Sequence, residues 1–150
     1  MPRSVEAVVR AWFDGLWNKG DEATIDRLLR ADGLIHGLPT PDHQPLQGPV
    51  AFKPFYRAFR SAFPDIAITL VHLVVDAELG AAHCRVTGTQ RGDFADLPPT
   101  NRTVDIEGFA MARVVDGQVV EAWNCFDFLG MYRQLGVDLD LPGRSHRPGA

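Results

Sequence analysis

Four side chains in this 150-residue chain have types and settings that could serve chemistry: Asn124, Asp127, His36 and Gln90. Asn124 lies in a strand-like run two residues after Ala122, so the two share one face of a sheet. An amide on such a face is a hydrogen-bonding group without a titrating proton, and cannot be a general base at neutral pH. Asp127 follows where the strand gives way to a helix. A carboxylate there either caps the helix or, partly desolvated at a cavity rim, acts as a general base. His36 sits in an apolar stretch, as a satisfied core residue or as a proton shuttle. Gln90 ends a strand between Gly88 and Gly92, where its amide either binds a ligand carbonyl or ties the bend.

The surroundings of Asn124 suggest a hollow. Gly108, Ala110 and Ala112 alternate on one strand face, with Phe109, Met111 and Arg113 on the other. Asp116-Gly117 is a type I′ hairpin signal, and pairing across it brings Ala122 and Asn124 onto the neighbouring strand. Small residues on a face turned toward helices either let a helix approach closely or keep a cavity open. On the cavity reading, the lining comprises Trp12, Phe13, His36, Phe55, Phe59, Gln90, Ala110, Ala122 and Asn124. Phe109, Met111 and Trp123 then form an apolar outer face, and such a patch predicts a homodimer.

The elements that position these residues change period midway. Ser4 caps a first helix to about Asn18, with Val5, Val8, Val9, Trp12, Phe13, Leu16 and Trp17 as its apolar stripe. Asp21 caps a shorter helix with Ile25, Leu28 and Leu29. Gly33 to His36 is extended, and a proline-rich loop from Leu38 to Pro49 follows. The third helix carries Phe52, Phe55, Phe59 and Phe63, tolerates Pro54 near its start and stops at Pro64. Alternation from Ile66 to Val75 marks a strand. Further strands span Ala81 to Gln90, Arg102 to Val115 and Gln118 to Phe126, before a final helix from Phe128 to Gln134. Gly88 and Gly92 are expected to bend the strand that precedes Pro98-Pro99. Helices first and antiparallel strands after define an α+β fold, with three N-terminal helices on a strongly curved, mainly antiparallel sheet. One domain over 1–136 and a loose tail over 137–150 are expected.

Composition narrows the class. A 45% hydrophobic, 23% charged chain with net charge −4 is globular and carries no electrostatic footprint for nucleic acid. No apolar run approaches a membrane span, and the opening residues lack the core of a signal peptide, so a cytoplasmic location is expected. Cys84 and Cys125 are expected to be reduced, buried thiols. Histidines 36, 43, 72, 83 and 146 show no metal-ligand spacing, and no nucleotide-binding or nucleophile-elbow motif occurs. No cofactor or metal is expected.

From Phe52 to Gly136 the chain resembles the SnoaL-like polyketide cyclase family, within the nuclear-transport-factor-like cone fold. The segments that carry the resemblance are Ala62-Phe-Pro-Asp65, Gly88-Thr-Gln90 with Gly92, Leu97-Pro-Pro-Thr100, Asp116-Gly-Gln-Val-Val-Glu-Ala-Trp123 and Arg133-Gln-Leu-Gly136. The resemblance implies a conical α+β barrel whose pocket takes a flat aromatic or polyketide ligand, often in a dimer formed through the sheet. It also implies ring closure by aldol chemistry with an aspartate as acid/base, and here the sequence departs. The aspartate position falls at Asn124, and the accompanying histidine positions fall at Ala122, Ala110 and Gln90. Losing such a base typically forfeits ~10²–10⁴ in rate. The expected apparatus is therefore Asn124 as an oxyanion-type contact with Asp127 or His36 moving the proton, in cyclase-like or hydroxylase-like chemistry. The alternative is a non-catalytic protein that binds a small molecule or a partner on the same cone.

Overall fold

In the computed structural model, which describes residues 2–138, the two halves of the chain become a layer of helices on one concave sheet. Helix α1 (Val5–Ala11) begins at Ser4, whose Oγ accepts the Ala7 N–H at 3.1 Å. The single helix expected to reach Asn18 changes character instead. From Trp12 to Asn18 the backbone widens into a π-helix, closed by the Lys19 N–H donating to the Asp14 carbonyl at 2.9 Å. Helix α2 (Ala23–Leu28) has Glu22 rather than Asp21 at its cap position and runs directly into β1 (Leu29–His36). The Asp21 carboxylate instead takes the Arg27 guanidinium at 2.9 Å. A two-residue strand β2 (Leu46–Gln47) leads into α3 (Gly48–Ala62), which carries Pro54 inside it without ending.

Strands β3 (Ala67–Asp76), β4 (Leu79–Thr89), β5 (Thr103–Val115) and β6 (Gln118–Phe126) complete a six-stranded sheet in the order β2-β1-β6-β5-β4-β3. Every pairing is antiparallel except β1 with β6. Helix α4 (Phe128–Gln134) follows β6. The hairpin at Asp116-Gly117 has φ of +51 and +75, the pair of left-handed residues that a type I′ turn needs. The expected tail falls mostly on 139–150, outside the described residues.

Curvature arises elsewhere than expected. Gly88 pairs regularly with Val104, and an added Cβ would only touch Phe63 at 3.4 Å. The register breaks lie between Leu70 and His72 on β3, between Arg113 and Val114 on β5, and between Leu29 and Leu34 on β1. Each such irregularity bends the strand and increases its twist. Gly92 does answer a close backbone approach, because a Cβ there would sit 2.5 Å from the Ser61 carbonyl oxygen.

The end of α3 is fastened to β4 by Asp65. Its carboxylate accepts the Thr89 N–H at 2.7 Å and the Thr89 hydroxyl at 2.8 Å. The Thr89 backbone bond, opposed by slight burial, holds Asp65 below its ordinary value. A depressed carboxylate contributes stability above its unfolded pKa and loses it as pH falls through the folded one. Asp65→Asn should therefore lower the melting temperature near neutrality, with the gap to wild type closing in acid. Melting curves showing a gap independent of pH would contradict this origin.

Candidate active-site cavity

The inward residues of β4, β5 and β6 fall into register as rows of small side chains. Gly80 lies opposite Ala112, which lies opposite Ala122; the next row is Ala82, Ala110 and Asn124. A third row of Cys84, Gly108 and Phe126 closes the floor. Gly108 is there because the Phe126 ring lies over it, at 2.3 Å from where a Cβ would stand.

Opposite this floor stands an aromatic wall. Trp12, Phe13 and Trp17 come from the π-helical segment and Phe52, Phe55 and Phe59 from α3. Trp12 packs on Phe52 at 5.1 Å between ring centroids, and Trp17 meets Phe59 edge-on at 5.8 Å. Each such pair adds roughly 0.5–1.5 kcal/mol beyond area burial, which favours this arrangement of the rings. Rings on one side and methyl groups on the other leave an apolar cavity between them. Trp12, Phe13, Phe55, Phe59, Ala110, Ala122 and Asn124 all line it, as the sequence suggested.

Two expected members, His36 and Gln90, stand elsewhere, and Asp127 takes the helix-capping role of its two expected ones. His36 pairs with Trp123 on the convex face, where its ring stacks on the indole at 5.9 Å and its Nε2 bonds Glu121 Oε2 at 2.7 Å. It is neither a core residue nor within the cavity, because Ile35 takes the inward position of that strand. Gln90 is fully buried, and its side chain is spent on the following loop. Its Nε2 donates to the carbonyls of Gly92 and Leu97 at 3.1 Å, while Oε1 accepts the Thr100 hydroxyl at 2.7 Å. Asp127 caps α4, accepting the Gly130 N–H at 2.8 Å. Neither Gln90 nor Asp127 lines the cavity.

Asn124 does line it, and among the described residues it is the one amide side chain there. Its Nδ2 donates to the His36 carbonyl oxygen at 2.9 Å. Trp17 and Ala112 also line the space, as do Gly80 and Phe126, although none was singled out as a site residue from the sequence. Ala112 shares the face of Ala110, which was signal enough. Trp17 lies five residues after Trp12, about 140° around an α-helix, and reaches the same cavity in the wider π turn. Among the described residues, no group of three or more His, Cys, Asp or Glu side chains is placed to hold a metal ion. Cys84 is buried, which pushes its thiol up to about 11, whereas Cys125 is exposed, contrary to expectation.

A cone-shaped α+β scaffold around an apolar interior cavity defines the class. The model of the SnoaL-like polyketide cyclase family matches residues 7–135, and the chain belongs to that family. It is 30% identical over 103 residues to aklanonic acid methyl ester cyclase DnrD of Streptomyces peucetius, covering 67% of this chain and 71% of that protein. It is 28% identical over 130 residues to nogalonic acid methyl ester cyclase of Streptomyces nogalater, covering 86% and 92%. Among solved structures, wild-type IdmH from Streptomyces antibioticus superposes with a TM-score of 0.76 at 28% identity, covering 90% of this chain and 100% of that one.

Two substitutions test this geometry. Ala110→Phe should fill the cavity and abolish binding of flat aromatic ligands in a folded protein; undiminished calorimetric binding would contradict a cavity at this place. Asn124→Asp sets a carboxylate oxygen against the His36 carbonyl, so one oxygen must keep its proton and the folded pKa must rise. Stability relative to wild type is then retained below the unfolded carboxylate range and lost as pH rises through the folded value. Melting curves showing a variant relatively more stable at neutral pH than in acid would overturn that reading.

Proposed function

We propose that this protein is an enzyme of secondary metabolism that takes a flat, neutral aromatic polyketide into the cavity and promotes ring closure or hydroxylation there. The carrying observation is the aromatic wall facing a floor of alanines, with one amide set among them. Among the described residues, no Asp, Glu, His, Lys or Arg lines the space. An ionised group buried there would have no counter-charge, so the ligand is uncharged.

The same composition shapes the mechanism. The positions of His36 and Asp127 do not support either as the proton acceptor. What the protein supplies is confinement of the intermediate in a reactive conformation, an effect that can account for a large part of a barrier. In ring closure a carbon–carbon bond forms between the enolate carbon and a carbonyl carbon. The proton leaves to water, and the new alkoxide takes one back. The lack of a titratable lining group also favours a second reading, a protein that binds such molecules without turning them over.

Incubation with aklanonic acid methyl ester, the substrate in the names of two relatives, separates the readings. A ring-closed isomer of unchanged mass is expected, formed roughly 10²–10⁴ more slowly than by a base-equipped cyclase. In a parallel incubation with dioxygen and a two-electron reductant, a product with one added oxygen, the other oxygen atom leaving as water, would assign hydroxylation. Tight binding without either product would replace the enzyme reading by the binding one.

We also propose a single SnoaL-like domain over 1–136, in the cytoplasm, and a homodimer through the convex face. That face exposes Phe109 by 61% and Val74 by 66%, beside Met111. Exposed large side chains in one patch favour a partner, here a second copy. Light scattering should return twice the 16.6 kDa chain mass. A monomer at micromolar concentration would remove the dimer.

A further inference from the structure

We propose that Asn124 selects, within the ligand class proposed above, molecules that present a hydroxyl donor such as a phenol or enol to its Oδ1. This rests on the cavity being the ligand site and adds to it the polarity of the one directional contact. The expected role for Asn124 was the reverse, a donor to a developing oxyanion.

The orientation follows from the His36 carbonyl. A carbonyl oxygen can only accept, so the side-chain atom 2.9 Å from it must be Nδ2, and Oδ1 is turned away. The carbonyl cannot swing aside, because strand β1 ends backbone-to-backbone against β6. An added Cβ on Gly37, whose φ is +83, would stand 1.9 Å from the Asn124 carbonyl oxygen. No protein group among the described residues donates to Oδ1. Ala110, directly opposite on β5, and Ala122, two residues earlier on β6, have no donor in their side chains. Oδ1 is also not sealed off, since no polar side-chain atom among the described residues is both buried and unpartnered.

The remaining lining side chains add no oxygen acceptor. The indole N–H groups of Trp12 and Trp17 can only donate, and the rest of the lining is apolar. A ligand hydroxyl meeting Oδ1 therefore finds its partner at one place. A ligand carbonyl or ether oxygen placed there meets another oxygen's lone pairs. The second Nδ2 hydrogen is the competing possibility, since it would favour an acceptor on the ligand.

Calorimetric titration of the full chain with 2-naphthol, 2-methoxynaphthalene and naphthalene distinguishes these outcomes. All three should bind, with 2-naphthol tighter than either of the others by roughly 3- to 10-fold, the value of one neutral hydrogen bond. Asn124→Leu should erase that preference while the three still bind, and Asn124→Ala serves the same purpose should the bulkier leucine disturb the fold. Gly37→Ala, which displaces the strand end and its neighbouring carbonyl, should weaken the preference with Asn124 intact. Equal binding of the three by wild type, tighter binding of the ether, or a preference that survives in Asn124→Leu would each overturn the proposal. If naphthalene itself does not bind, the cavity reading falls and this proposal with it. Binding of all three without preference would sink the hydroxyl assignment alone.

Discussion

A hollow core tends to collapse, because every wall atom without a neighbour forgoes dispersion contacts. The aromatic wall resists this by being pinned at its edges through polar bonds that a collapse would break. Asn18 bonds β3 in both directions, donating to the Ile68 carbonyl at 2.8 Å and accepting the Ile68 N–H at 2.6 Å. The buried Tyr56 hydroxyl donates to the Leu16 carbonyl at 2.9 Å, and Arg60 reaches the Trp17 carbonyl. These bonds tie the π segment to α3 and to the sheet, so the rings of Trp12 and Trp17 cannot settle onto the alanines. Tyr56 packs against Trp17 and Phe52, at 5.1 and 6.4 Å between ring centroids, and burial raises its phenol above the ordinary value. A phenol so shifted is a neutral donor at neutral pH.

Three polar side chains elsewhere each hold a piece of backbone. Gln90 holds the loop that follows it, Asp127 holds a helix start, and Asp65 holds a strand end. A group so engaged is costly to divert, since the backbone atom it leaves must find another partner. Asn124 differs in that one end of its amide is committed and the other is not. The cavity thus receives a fixed dipole in place of a charge, and a fixed dipole serves alignment better than proton transfer.

Much of this was legible in the sequence, and the failures have physical causes. The strands β3 to β6 and the last helix follow from alternation and from Asp116-Gly117, which are local signals, whereas β1 begins at Leu29 rather than Gly33 and β2 lies in what reads as loop. The phase of the small-residue face was also readable, since Gly108, Ala110 and Ala112 must share a side once β5 is a strand. His36 was misplaced because a strand's facing depends on its partner. Only the parallel pairing with β6 puts Ile35 inward and His36 beside Trp123. Glycine signalled close approach correctly at Gly92 but not curvature at Gly88. The register breaks that bend the sheet fall among ordinary residues such as Val71, whose types carry no mark. The burial of Gln90 depends on where the loop folds back, which no spacing encodes.

The π segment carries a consequence for how such a cavity changes over generations. Widened helical turns arise when one residue is inserted into an α-helix and the helix absorbs it locally. From Trp12 to Asn18 the extra winding is what lets two indoles five positions apart share a wall. Loss of a single codon in that stretch would relax the turn and rotate every side chain before it by about 100° relative to those after it. The helix, its cap and its length would survive almost intact, yet the space beside it would acquire a new outline. Ligand preference in this scaffold can therefore shift by an indel as readily as by substitution, and aligned columns across the first helix need not denote equivalent positions in space.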